Sequence, residues 1–419
     1  KQLYSVLNVS SLPRLCALVL RDCGLLDGEI KRIATALHLG GLPVLVTLDL
    51  GGNPWKGRCL GPLGKALQAD AVPSLRDLNL CALTTAELEG PSAVNEAVLY
   101  NRRTWETQRK GLRAFLAALR TQECPPHLHV SLDISSESLD RENSFCELAA
   151  GKYPSLRTVG LSIRDDEVSI ASFFRAMIDS EGGPSFENLD LFLLWEEARE
   201  MDEGVKLLGE AMGKERLASL RQLEVTGCGV DEWENTTEDL SIGKTAFFTA
   251  LSTVRLPQLI DLSVGFLPLT TADIALISLA VGMGNLSGLR KLALVSSLGV
   301  GKEEMEMLMN AVVESNEGLP RLHRLNVRGT RAGEGGAALG QALLSGKLGA
   351  LHIIVLEECH LTNEAVKGLT RAVKQGVLAS GSIIKFAENG GLGEDALQEW
   401  VEALKERNII SFRSLTSDV

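Results

Sequence analysis

Three stretches carry the residue types of nucleotide loops. Leu240-Ser-Ile-Gly-Lys-Thr245 ends as a phosphate-binding loop does, with a lysine for the phosphates and a hydroxyl for a magnesium ion. The glycine that should open it falls at position 238, which is Glu, and a carboxylate there repels phosphate. Ser297-Leu-Gly-Val-Gly301-Lys302-Glu303 fails in the same way: Ser296 replaces the first glycine, and Glu303 replaces the metal-binding hydroxyl. Gly333-Glu-Gly-Gly-Ala-Ala-Leu-Gly340 has the glycines of a dinucleotide loop at the wrong spacing. Six histidines include no H-E-x-x-H, and around the pair His127 and His129 no Cys or carboxylate stands at zinc-like spacing. Eight cysteines include no C-x-x-C pair. These residues point to no catalytic group, no cofactor site and no metal site, and the chain is expected not to be an enzyme.

Composition narrows the partners. Hydrophobic residues are 45% of the 419 but aromatic ones only 5%, so the core must be built from Leu, Val, Ile and Ala in many similar layers. A net charge of −12 argues against nucleic acid held by bulk charge. The longest apolar stretch, Ile274 to Val281, is far short of the roughly 18 to 20 residues of a membrane span.

The elements that would position any functional side chain are repeats. Leu15-Cys-Ala-Leu18-Val-Leu20 returns as Leu45-Val-Thr-Leu48-Asp-Leu50 and Leu75-Arg-Asp-Leu78-Asn-Leu80, with first positions 30 residues apart. Further copies begin at His129, Leu156, Phe186, Leu220, Leu259, Leu289, Leu322 and Leu351, and a weaker one at Gly381, twelve in all. Each ends in a period-2 apolar pair, as a short half-buried strand requires. Each is followed by a helical stripe such as Ile30, Ile33, Ala34 and Leu37. In a later copy Thr362 or Asn363 supplies the cap of the helix that follows. No such unit covers its own apolar face, so neighbours must stack.

The pattern L-x-x-L-x-L-x-x-N/C-x-L followed by a helix resembles leucine-rich repeats of the ribonuclease-inhibitor type, over nearly the whole chain. The resemblance implies an α/β leucine-rich repeat solenoid, a horseshoe of about twelve strand–helix repeats with a parallel sheet on the concave face. It also implies a ladder in which Asn or Cys bonds the backbone of the turn; that position holds Cys23, Asn53, Cys228, Cys359 and Asn389. Leu83, Glu137, Arg164, Leu194, Leu267, Ser297 and Thr330 break it, so the middle is expected to be less regular. Residues 1–419 are read as one domain with insertions at about 82–110 and 229–242. Leu3 and Leu7 align with Leu63 and Leu67, so the chain is expected to start inside a repeat, as a fragment of a longer one. Ladder cysteines are expected to be reduced and buried, which favours an intracellular, cytoplasmic compartment. The triplets Asn8-Val-Ser, Asn235-Thr-Thr and Asn285-Leu-Ser match the glycosylation sequon, and the start of the chain leaves a removed signal or transit peptide open.

The x positions of the strands form the inner surface. Asp49, Asn79, Asp133, Gly160, Asp190 and Glu224 predict an acidic stripe, and Arg290, Lys291, His323, Arg324, Arg328 and Arg331 a basic pole. Between them Ile163, Phe192, Leu193, Trp195 and Phe266 are read as an exposed apolar patch; Trp105 and Trp233 stand in the two insertions. The alternative is that Phe192 and Leu193 tuck into an irregular turn. The function expected is a non-catalytic interaction module or scaffold for a protein partner or a large assembly. Its contacts would be Phe192, Leu193, Trp195, Phe266, Arg290, Arg324, Arg328, Trp105 and Trp233. Two other roles occur with this repeat type: a GTPase activator of the Ran-activator kind, for which Arg102 or Arg103 would serve, and the sensor region of a nucleotide-binding receptor.

Overall fold

A computed structural model describes residues 12–55, 57–68, 71–81, 105–120, 127–135, 144–164, 170–195, 198–229, 241–297 and 299–412. These residues alternate strictly between strand and helix, and the strands follow one another in chain order, all parallel, in an open sheet. The architecture is an α/β solenoid of strand–helix repeats. The chain divides into two compact units, residues 1–190 and 191–419.

The first unit contains β1 (Ala17–Val19), α1 (Asp27–His38), β2 (Thr47–Asp49), α2 (Leu60–Gln68), β3 (Asp77–Leu80) and α3 (Trp105–Arg120). It continues with β4 (His129–Ser135), α4 (Ser144–Ala149), β5 (Leu156–Arg164) and α5 (Ile170–Asp179). Strand β6 (Asn188–Trp195) spans the division. The second unit has α6 (Ala198–Gly213), β7 (Gln222–Gly229), α7 (Ser241–Thr253), β8 (Asp261–Gly265), α8 (Thr271–Gly282), β9 (Lys291–Val295) and α9 (Lys302–Glu314). There follow β10 (Arg324–Asn326), a 3-10 turn (Ala332–Gly335) leading into α10 (Gly336–Leu344), β11 (Ile353–Val355), α11 (Asn363–Lys374), β12 (Ile383–Lys385), α12 (Glu394–Glu406) and β13 (Ile410–Phe412).

The apolar positions do what their spacing requires. Ile30, Ile33, Ala34 and Leu37 of α1 are at most 1% exposed, and Leu18, Leu48 and Leu78 face them from strands in register. Each such Leu or Ile contributes about 1.5–3 kcal/mol on burial. The face of each strand turned away from the helices is called the open face below.

Register departs from the simple repeat between β3 and β4. Equal repeats would set Leu78 beside Leu132; instead Leu78 pairs with Val130 and Leu80 with Leu132. A slip of two residues keeps every side chain on its own face, because the strand period is two. Asn79 therefore lies beside Ser131 and not Asp133, and a bulge at Val130/Ser131 brings Leu132 back beside Val159.

Polar side chains lock successive repeats together. Asn53, 2% exposed, accepts from the Cys23 and Leu25 amides and donates to the Leu20 and Leu50 carbonyls. Asn389 accepts from Cys359 and Leu361 and donates to Leu356 and Phe386. Cys359 and Ser297 reach back to the Val327 and Leu267 carbonyls, so a thiol and a hydroxyl continue the ladder. Cys23 departs from its expected burial: it is exposed, and its sulfur donates to the Arg21 carbonyl of its own turn. Burial pushes the Cys359 thiol up to about 11, and Cys16, Cys23, Cys59, Cys81, Cys146 and Cys359 are free. Asn389→Ala strands two amides and is expected to cost about 2–3 kcal/mol, read as a lower urea midpoint at unchanged slope.

Thr362 caps α11 by accepting from the Ala365 amide, which frees Asn363 to accept from Gly393 at the start of the next helix. Asp27 and Asp202 make the same step to the Cys59 and Gly243 amides.

Candidate partner-binding surface

Two members of the expected apolar patch are not at the surface. Phe192 is 8% exposed and Leu193 only 2%, so neither is a surface anchor. The strand does not turn after Leu191 but runs on to Trp195, so Leu189, Leu191 and Leu193 alternate onto the helix side. Phe192 falls on the open face, which is nearly closed in this region: Glu224 is 7% exposed, Ser263 9% and Ala293 1%. Trp195 ends β6 and Trp105 begins α3, inside the expected insertion. The side chains of both, that of Ile163, and the whole of Trp233, Arg102 and Arg103 lie outside the described residues.

Phe266 remains half-buried in the turn after β8, with φ +53. The same left-handed position recurs after other strands of the second unit at Ser296, Gly329, Glu358 and Glu388. A bulky ring is a costly occupant of that backbone conformation.

The acidic stripe is partly a set of turn braces. Asp49 Oδ1 accepts from the Gly51 amide at 2.9 Å, and Asn79 Oδ1 accepts from Cys81 at 3.0 Å. Asn326 does the same for Arg328. An Asp or Asn at this position closes the turn two residues on. Glu224, expected on the surface, is buried. The Asp133 carboxylate occupies the space beside Gly160 that a Cβ would need, which explains the gap in the stripe.

The basic pole contracts for an analogous reason. Arg328 Nε and Nη2 both donate to Glu358 Oε1, at 3.0 and 2.8 Å, so this charge is spent between neighbouring turns. Arg331 is held by Glu334 at 2.7 Å. What remains is Arg290, Lys291, His323 and Arg324. Arg290 and His323 are exposed at the entry to β9 and β10; Lys291 and Arg324 are half-buried on the open face, directly opposite each other. Like charges in register across a strand pair are destabilising. Among the described residues neither forms an ion pair, and Arg324 Nε is buried without a hydrogen-bond partner. Asp261, in register with Lys291 on β8, is the nearest acid in the row. Burial raises its carboxyl above the usual range, against the pull of Lys291, Arg290 and Arg221.

The row continues in an unexpected way. Beyond Arg324 the in-register positions are Ile353, Ile383 and Ile410, the first two half-buried and the last 47% exposed. The signal in the sequence is a doublet: Ile353-Ile354, Ile383-Ile384 and Ile409-Ile410. Only one residue of each pair is buried below 9%, namely Ile354, Ile384 and Ile409. The strand period sends its neighbour to the other side.

The stretches that looked chemical take structural places. Lys244 is buried against the Pro268 carbonyl and Asp273, Gly301 precedes α9, and Gly333 to Gly340 form the 3-10 turn and α10. His127 is exposed, and His129 lies 3.8 Å from Asp77. Among the described residues no three His, Cys, Asp or Glu side chains gather to hold a metal ion. Asn285 donates its amide nitrogen to the Ser252 carbonyl, an interaction a glycan there would displace. No described helix is long and apolar enough to cross a membrane. No protein-family model matches the chain, and no curated protein matches it in sequence.

Proposed function

We propose that the chain is a non-catalytic protein-interaction module, a scaffold of leucine-rich repeats whose working surface is the open face of residues 191–419. The observation that supports this most is the in-register pair Lys291 and Arg324, beside which Asp261 is the nearest acid in the row. A stacked fold has no need of two cations in register, and a stability cost kept at the surface favours a role in recognition. Arg290 beside them adds exposed charge, which steers approach and fixes orientation more than it adds raw affinity. Phe266, held in a strained turn, is the one aromatic of the expected set described at the surface.

The test is a quantitative pull-down with the immobilised chain and its Lys291→Glu/Arg324→Glu variant, both checked for equal unfolding midpoints. The wild type is expected to retain proteins that the variant loses. Identical retention by both would overturn this surface as the binding site.

A further inference from the structure

Resting on that reading, we propose that this surface takes an extended peptide segment with acidic residues at one end and aliphatic residues at the other, laid across strands β9 to β13. The row that would hold it is Lys291, Arg324, Ile353, Ile383 and Ile410, one side chain from each of five adjacent strands. Two cations are followed by three isoleucines, without an intervening charge. Strands stand about 4.8 Å apart, so the row is about 19 Å long, the reach of roughly six extended residues.

Each half of the row carries a cost that such a ligand removes. The Lys291/Arg324 pair repels across the strands, and a carboxylate between them turns repulsion into two charge-assisted hydrogen bonds. Arg324 Nε, buried and unpaired, is a donor already stripped of water. Ile353, Ile383 and Ile410 form a continuous apolar strip, whereas the next row on the same face, Asn326, Val355 and Lys385, alternates polar and apolar side chains. Aliphatic side chains laid on it would remove that surface from water.

The neighbours set the polarity of the ligand and exclude a longer polyanion. Asp261 closes the cationic end, so acidic residues must stop at Lys291. On the far side Glu357, Glu358 and Glu388 follow β11 and β12. A nucleic acid strand continuing past the two cations would run into these carboxylates or across the isoleucines. A second copy of a chain with net charge −12 brings general repulsion rather than a matched segment.

The experiment is fluorescence anisotropy with a labelled synthetic peptide of about eight residues, two alternate glutamates in its first half and two alternate leucines in its second. Wild-type chain is expected to bind it, with affinity falling as salt rises. Lys291→Glu/Arg324→Glu is expected to weaken binding about tenfold or more, and to bind the matching lysine–leucine peptide instead. Ile353→Thr/Ile383→Thr, or Ile410→Ser if the former lowers the unfolding midpoint, is expected to weaken binding several-fold at unchanged salt dependence. Replacing the leucines of the peptide by serine should do the same.

An oligothymidine of similar length bound more tightly than the peptide, and released by the charge reversal, would overturn the proposal in favour of nucleic acid. Equal binding of the serine peptide would overturn the aliphatic half. No peptide binding at all, while the charge reversal still abolishes protein capture, would leave the interaction module standing and sink this description of its ligand.

Discussion

Asp273→Ala is expected to destabilise the second unit by about 3–5 kcal/mol, the cost of leaving a buried charge without its counter-ion. Lys244 and Asp273 have side chains 2% exposed, and the ammonium lies 3.6 Å from Asp273 Oδ2. Asp273 also caps α8: its Oδ2 accepts from the Thr270 amide at 2.8 Å and hydroxyl at 2.9 Å. With Asp273 gone, the ammonium keeps the Pro268 carbonyl and only the weaker pull of Asp202. Lys244→Met should cost less, because the remaining carboxylate retains both Thr270 bonds and the helix N-terminus. The double variant Lys244→Met/Asp273→Ala should recover part of the loss, since no buried charge is then left over.

The same pair fixes a pH dependence. Burial lowers the Lys244 ammonium below its ordinary 10.5, and Asp273 opposes that lowering. Between the lowered folded value and the unfolded one, the unfolded chain binds more protons, so stability rises with pH. Without Asp273 the folded value falls further and the window widens downward. Urea unfolding of Asp273→Ala should therefore show a deficit that shrinks from neutral to mildly alkaline pH, relative to the double variant. A deficit that stays constant would show that Lys244 is not the stranded charge.

Gly340→Leu is the second large effect, expected to cost about 3 kcal/mol or more by overpacking. Helices α10 and α11 meet backbone to backbone: a Cβ on Gly340 would lie 2.6 Å from the Gly368 carbonyl oxygen, and one on Gly368 2.8 Å from Ala337 Cα. Neither neighbour is a flexible side-chain end, so relief requires the helices to separate. Gly340→Ala should cost about 1–3 kcal/mol by the same clash. Gly282→Ala is the control, since its Cβ meets nothing within 4 Å and alanine favours the helix. Thermal unfolding of the three variants should rank them in that order; a Gly340→Leu chain as stable as wild type would contradict the close approach.

Much of this was legible in the residues. The L-x-x-L-x-L copies marked the strands, because a period of two allows one buried face. Stripes such as Ile30, Ile33, Ala34 and Leu37 marked the helices, and repetition itself dictated stacking, since no unit buries its own face.

The tertiary structure decided which polar and aromatic residues reach the surface, and it removed Phe192, Leu193 and Arg328 from the expected site. Phe192 and Leu193 left the surface because β6 runs on, a length no local pattern set. Arg328 dropped out because Glu358, 30 residues away in the chain, stands beside it in the next turn. Asp49 and Asn79 proved to brace their own turns, while the isoleucine row came together only when strands β11 to β13 set Ile353, Ile383 and Ile410 side by side. Periodicity assigns each side chain to a face through bonds along the backbone. Whether that side chain is covered, paired or left open depends on neighbours from other repeats, and their identity is fixed only when the strands align.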